Sequence, residues 1–403
     1  MRELDKRLTA LSRHLVELRR AFHAHPELAF HEVETAGRIT AELERLGIDF
    51  DYQGQGHAVI AHIEPPGTAG LPAVALRAEM DALPGQETTG AVYASRYADR
   101  MHACGHGAHM AMVCGAAALL VGEPPPGRVR LIFQPAEERG GGSRTAIQDG
   151  ALDDVSAIFG GHVTHEYVTG QIMIRDGDIT AQSDRFFINI HGKGGHGARP
   201  HEAIDAVVIA GFLITALQTL VSREVNPLHP SVVTVGRVQA GSAPNVIAET
   251  AVLEGSIRTT REEMRRHIHH GLRRMCAGIA ELHNAAIDVR IQEGYPPVVN
   301  SPREVAIARR AAAALVGQEA VVAAEFPSMG SEDFSYYLQK VPGCFVRFGA
   351  RRPEWEPVPL HSPGFDIDEA VLAVGAGYFA EVARAALQEY GQAWNSGAAQ
   401  HTA

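Results

Sequence analysis

Three short apolar runs, each arriving at residues that ionise or bind metal, constrain this chain more than any other feature. AVALRAEMDALP (73–84) begins as an apolar strand and reaches Asp81. RVRLIFQPAEE (128–138) reaches Glu137 and Glu138, and SAIFGGHV (156–163) reaches His162. In open parallel sheets, functional groups gather just beyond the carboxyl ends of the strands. Around these runs the spacing turns helical: residues 4–20 and 33–46 are amphipathic, and 110–121 is an Ala-rich apolar stretch. The alternation predicts an α/β fold with its chemistry at the ends of successive strands.

The texture changes near Ser183. DRFFINIHGKGG (184–195) alternates like a half-exposed strand. A helix over about 204–222, strands at 231–240 and 250–260, a helix over about 261–284 and a strand from 286 follow. That β-α-β-β-α-β order is the ferredoxin-like arrangement. After Pro296-Pro297 the α/β texture resumes, with a helix near 302–316 and the strand CFVRFGA (344–350). The expected organisation is a first part of one domain at 1–182, an insertion at 183–298, and the second part of the first domain at 299–403. The last residues, roughly 393–403, are small and polar and are expected to fray.

At 403 residues with 45% hydrophobic content, the chain can build ordinary cores. Its net charge of −11, with no offsetting run of Lys or Arg, argues against nucleic acid or an anionic membrane as partner. No apolar stretch is expected to reach the roughly 20 residues of a membrane helix. The N-terminus interleaves charge with apolar residues and lacks the apolar core of a signal peptide. Four cysteines in so long a chain make no disulfide framework. Cys114, Cys276 and Cys344 are expected as core thiols, and a cytoplasmic location follows. Cys104, set between His102 and His106, needs another explanation.

MHACGHGAHM (101–110) offers Cys104, His106 and His109. Thiolate and imidazole suit borderline-soft divalent ions, and Gly105 lets the chain turn so that two side chains converge. The plainer reading is a loop with a buried thiol. Glu137-Glu138 ends an apolar strand, where alternation would turn one carboxylate to a metal and its neighbour to the reacting water. The plainer reading is a solvated turn. His162 and His361, the latter in PVPLHSPGFD, are each explicable as single core histidines; with Cys104, His106 and Glu138 they make five ligand-type residues, a number that suits two ions sharing one ligand. His196 in GKGGHGARPH, Asn245 in GSAPNVIAET and Arg258 on an alternating strand carry groups suited to an oxyanion or a carboxylate. From the residues alone, turn chemistry for Asn245 and surface charge for Arg258 are the favoured readings.

Taken together, RRAFHAHPELAFHEVET, LRAEMDALP, MHACGH, FQPAEERGGG, GGHV, GGHGARPH, NVI, GYPPVVN, SEDFS and LHSPGFD cover nearly the whole chain. In this order they resemble the M20 metallopeptidase family, in its subgroup of hippurate hydrolases, indole-acetyl-amino-acid hydrolases and related N-acyl-amino-acid amidohydrolases. The resemblance implies a di-metal hydrolase catalytic domain with an inserted ferredoxin-like α+β lid that often dimerises. It implies two divalent ions per chain, Mn or Zn with Co or Ni as alternatives, on Cys104, His106, Glu138, His162 and His361, with Cys104 as bridge. Glu137 corresponds to the general base and Asp81 to the acid that orients a metal-bound His. His196 corresponds to the lid residue that reaches the oxyanion, and Asn245 and Arg258 to substrate contacts. Three positions depart from the pattern: Gly107 stands where an acid follows the metal-binding His, Glu79 where Asp is usual, and Ser331 where Gly is usual. The expected activity is hydrolysis of the amide bond of an N-acyl amino acid by metal-activated water. A dipeptidase, an aminohydrolase of small aromatics, or a non-catalytic binding protein on the same scaffold are the alternatives.

Overall fold

The computed structural model describes residues 3–395, leaving most of the tail expected to fray outside the described residues. The chain forms two compact units, one of Met1–Gly177, Val299–Glu325 and Asp333–Ala403, the other of Asp178–Val298 and Phe326–Glu332. The return of Phe326–Glu332 to the smaller unit has no counterpart in the sequence pattern.

The larger unit is built on an eight-stranded sheet. Its order is Asp49–Tyr52, Val59–Ile63, Arg128–Gln134, Ala73–Glu79, Val155–Val168, Gly343–Arg351, Ile172–Met173 and Val321–Val322. The four central strands are parallel, and Ala73–Glu79 is buried at every position, as a strand covered on both faces must be. Helices His106–Gly122 and Val371–Asn395 pack against each other and contribute to one apolar core with the sheet. The first is apolar all round and buried almost throughout, the pattern of an interior helix. It starts at His106, four residues before the apolar run begins, so the metal-type residues lie at its entry and not in a long loop.

Two strand ends differ from expectation. The strand Arg128–Gln134 stops at Pro135, which has no N–H to extend the ladder, so Glu137 and Glu138 lie in a turn and strand alternation does not set their directions. The third strand does not end at His162 but runs on to Val168. Its pairing with Ala73–Glu79 ends at Leu76↔Phe159, however, while pairing with Gly343–Arg351 continues through Arg347↔His162. His162 therefore lies past the end of its pairing with Ala73–Glu79.

The smaller unit has four antiparallel strands in the order Ser231–Ala240, Thr250–Thr259, Gln182–His191, Ala286–Glu293. With helices Ala206–Thr219 and Glu262–His283 this is the ferredoxin-like topology. Gln182–His191 alternates strictly, burying Phe186, Ile188 and Ile190 against Ile209, Leu213, Ile268 and Leu272. Contrary to expectation, one helix is long and apolar enough for a membrane span: Ala206–Glu224, counting the π-helical turn that follows Thr219. It is capped by Asp205, which accepts from Val207 N–H at 2.9 Å. It buries Ile209, Leu213 and Leu217 in the unit's own core while exposing Val207, Val208 and Phe212.

Candidate metal centre

Cys104, His106, Glu138, His162 and His361 come together in the larger unit, and Gly105 makes the approach possible. Its φ is 89°, and a Cβ there would stand 2.4 Å from Val163 Cγ2; only glycine fits between the thiol and the first helical residue. His106 Nδ1–H donates to the Asp81 carbonyl at 2.8 Å. His162 Nδ1–H donates to the Val163 carbonyl at 2.7 Å. Each bond fixes a tautomer that leaves Nε2 as a lone-pair donor. His106 Nε2 is buried with no hydrogen-bond partner. His162 Nε2 lies 3.2 Å from Cys104 Sγ, and His361 Nε2 lies 3.3 Å from the same sulfur. Glu138 Oε1 is 3.1 Å from His361 Nε2 and makes no hydrogen bond. His361 reaches this point from a left-handed residue, φ 67°, with its N–H donated to the Ala103 carbonyl at 2.9 Å.

These are the spacings of ligands around ions. Donors at about 2.0–2.3 Å from a tetrahedral ion lie roughly 3.3–3.8 Å from one another. Among the described residues, five groups bring three donor atoms within 4.8 Å of one another, and two of them share Cys104: Cys104 with His106 and His162, and Cys104 with Glu138 and His361. The unpartnered buried atoms fit the same reading, since ligand atoms without an ion would be costly to bury. The donor set thus fits a dinuclear divalent-metal centre. Electrostatics agree. Burial alone would lower the His106 imidazolium, but Asp81, Glu79 and Glu138 outweigh it and push it up to about 10, so a positive charge is favoured here. Burial would raise the Glu138 carboxyl, but His361 and His106 hold it below its ordinary range. Burial and the two glutamates push the Cys104 thiol well up; a bound cation reverses this, because a coordinating thiol ionises.

His109 can join a third cluster, with Glu79 and His106, but both its nitrogens are already engaged. Nδ1–H donates to Glu79 Oε2 at 2.8 Å, and Nε2 accepts Val163 N–H at 2.9 Å. It is a support for the His162 backbone. Glu79 is held well below the carboxylate range; burial opposes this, and Arg77 and His109 overcome it. Arg77 bonds Glu79 and also Asp333 at 2.8 Å, and Gln134 Nε2 donates to both Asp333 oxygens at 2.9 Å. The sequence reading did not assign this network. Its one signal was an arginine and a glutamate inside an otherwise apolar strand.

Asp81 differs in detail from the expected orienting acid. It is the Asp81 carbonyl that takes the His106 proton; the carboxylate stands 3.3 Å from His106 Nδ1 and its Oδ2 accepts Glu138 N–H at 2.9 Å. Glu137 is buried beside Glu138 and falls within ligand reach of it and of His106. In the smaller unit, pairing of His196 with Val246 brings His196 and Asn245 together, with Gly197 N–H donated to the Asn245 carbonyl at 2.8 Å. His196 is exposed, and its Nδ1 accepts Ala198 N–H at 3.1 Å. Arg258 Nη1–H donates to Ser331 Oγ at 2.7 Å.

Residues 75–385 match the model of peptidase family M20/M25/M40. An N-acetylcysteine deacetylase of Bacillus subtilis is 42% identical over 373 residues, 92% of this chain and 96% of that protein. An IAA-amino acid hydrolase of Arabidopsis thaliana is 40% identical over 384 residues, 93% of this chain and 86% of that one. Among solved structures, a dinuclear metal-binding peptidase of the M20 family from Bacillus subtilis superposes with a TM-score of 0.82 at 39% identity, covering 94% of this chain and 99% of that chain. With such likeness along nearly its full length, and a dinuclear donor set in place, the chain belongs to peptidase family M20/M25/M40, as a metal-dependent amidohydrolase.

Proposed function

We propose that the chain hydrolyses the amide bond of small N-acyl amino acids, with Glu137 as the group that moves the proton. The observation that carries this reading is the pair of ligand triplets sharing Cys104, with Glu137 buried beside them. His106 and His162 would hold one ion, Glu138 and His361 the other, and Cys104 both. The ions, when bound, supply the Lewis acidity that polarises the acyl carbonyl and acidifies a water. Glu137 takes that water's proton and returns it to the amine as the C–N bond breaks. Asp81 orients His106 through its carbonyl and holds the Glu138 backbone through its carboxylate. On the inserted unit, His196 is assigned the oxyanion and Asn245 and Arg258 the substrate's polar groups. His196 suits the role because its Nδ1 is an acceptor, which leaves a proton on Nε2.

A thiolate in the set favours Zn, with Mn as the alternative. The deacetylase and the IAA-amino acid hydrolase act on N-acylated amino acids by their names, which supports the substrate class. We also assign a homodimer formed through the inserted unit. The support is the unpaired edge strand Ser231–Ala240, with Val232 and Val238 exposed, and the exposed Val207, Val208 and Phe212 on the adjoining helix. A cytoplasmic location is supported by four cysteines that are all free. The deciding experiment is an amide-hydrolysis screen with Mn, Zn, Co or Ni over acetyl, benzoyl and indole-acetyl amino acids, beside dipeptides. Turnover of the acylated amino acids is expected. Preference for dipeptides, or no turnover with two ions bound, would overturn the reading.

A further inference from the structure

Glu137 and Glu138 follow Ala136, whose φ is 51°. A Cβ is crowded in this left-handed region, and glycine would adopt it without that strain. The chain nevertheless has alanine here, so its surroundings must hold the conformation. They do so from several sides. Ala136 N–H donates to Glu32 Oε1 at 2.8 Å. Glu32 arrives from the residue before helix Val33–Leu46 and is buried. The Ala136 carbonyl accepts Gly142 N–H at 3.1 Å, an approach so close that a Cβ on Gly142 would stand 1.7 Å from the Pro135 carbonyl oxygen. Two residues further on, Glu138 N–H donates to Asp81 Oδ2 at 2.9 Å. Residues 136 and 138 are each held by a carboxylate reaching in from another element, and Glu137 is the residue between them. Glu32 does this at a cost: its Oε2 is buried with no hydrogen-bond partner.

We propose that Glu32 is a positioning residue for Glu137, holding the left-handed turn at Ala136 that aims the base. The proposal rests on Glu137 being that base. What the turn needs is an acceptor at Oε1, not a charge. Burial and the nearby Asp81 push the Glu32 carboxyl up to about 7, and a proton on Oε2 leaves Oε1 free to accept.

The test is kcat, KM and metal content on Glu32→Gln, Glu32→Asp, Glu32→Ala, Glu32→Ala/Ala136→Gly and Glu137→Gln. Glu32→Gln keeps the acceptor and should turn over within about twofold of wild type. Glu32→Ala should lose about 10²-fold in kcat, the scale of a small misplacement of a catalytic group, with two ions retained and KM little changed. Glu32→Asp withdraws the acceptor by one methylene and should fall between; it carries the test if Glu32→Ala does not fold. Ala136→Gly should restore about tenfold to Glu32→Ala, since glycine adopts the turn unaided. A general loss of stability would not be repaired by deleting a buried methyl group. Full activity in Glu32→Ala and Glu32→Asp, or no recovery in the double variant, would overturn the proposal. Equal loss in Glu32→Gln and Glu32→Ala would overturn it in favour of a role for the ionisable proton. An inactive Glu137→Gln beside an active Glu32→Ala overturns this inference alone; a normal Glu137→Gln overturns the base assignment and this inference with it.

Discussion

Cys104 Sγ stands 3.2 Å from His162 Nε2, and the imidazole cannot donate to it, because its proton sits on Nδ1 against the Val163 carbonyl. Without an ion the Cys104 thiol S–H can donate to that lone pair, and a bound cation takes the proton's place as the thiol ionises. Cys104→Ala should therefore lower the metal content from two ions per chain to one or fewer. Elemental analysis of protein purified without chelator measures this. Two tightly held ions in Cys104→Ala would remove the bridging role, and a metal-free preparation with full activity would remove the centre altogether.

Glu137→Gln should cost about 10²–10⁴-fold in kcat, the usual contribution of an acid–base group, with metal content intact. Glu138→Gln removes a charged ligand and should lower occupancy as well as rate. The two carboxylates are adjacent and lie within 4.8 Å of each other and of His106, so the pair of variants is what separates their roles. If Glu137→Gln empties the site while Glu138→Gln stays loaded, their roles are reversed.

The exposed apolar stripe of the inserted unit predicts the state of association. Phe212→Lys or Val238→Lys should yield monomers by light scattering, with circular dichroism unchanged, since both side chains point away from the unit's own core. A wild-type monomer at assay concentration would end the dimer assignment.

Acid should weaken the inserted unit through Asp184. Burial would raise this carboxyl, but His269 at 2.6 Å, the paired Arg265 and Gly294 N–H bring it down to about 2. A depressed folded value means that the stabilisation is present above the ordinary value near 4 and is lost as pH falls toward 2. It amounts to about 2 kcal/mol. Urea midpoints of wild type and Asp184→Asn should differ clearly at pH 7 and converge below pH 4. A gap that stays constant with pH would assign the difference to packing.

What could be read from the sequence follows from what each signal encodes. Strand-to-acid junctions at Asp81 and Glu138 were visible because burial and ionisation are both written locally. The ligand set needed the family resemblance, because Cys104 and His361 are 257 positions apart and nothing local links them. The turn at Ala136 was misread as an extended strand end, since alanine gives no sign of a left-handed φ. Glu32, Glu79 and Arg77 were missed as supports for a different reason: a charged residue's burial is decided by partners distant in sequence.

His109 marks the boundary between a ligand and its scaffold. It lies close enough to His106 and Glu79 to form a ligand-like triplet, and spacing alone would enrol it. Its hydrogen bonds exclude it: with Val163 N–H on Nε2 and Glu79 on Nδ1–H, no lone pair remains for an ion. The bond to Val163 matters because the same peptide unit's neighbour, the Val163 carbonyl, fixes the tautomer of His162. His109→Gln should thus keep both ions at saturating metal but bind one of them about 10–100-fold more weakly, the usual effect of losing an outer support. His162→Gln removes the ligand itself and should leave one ion at most. Competition with a chromophoric chelator gives both affinities. If His109→Gln loses an ion outright while His162→Gln retains two, His109 is the ligand and His162 the support.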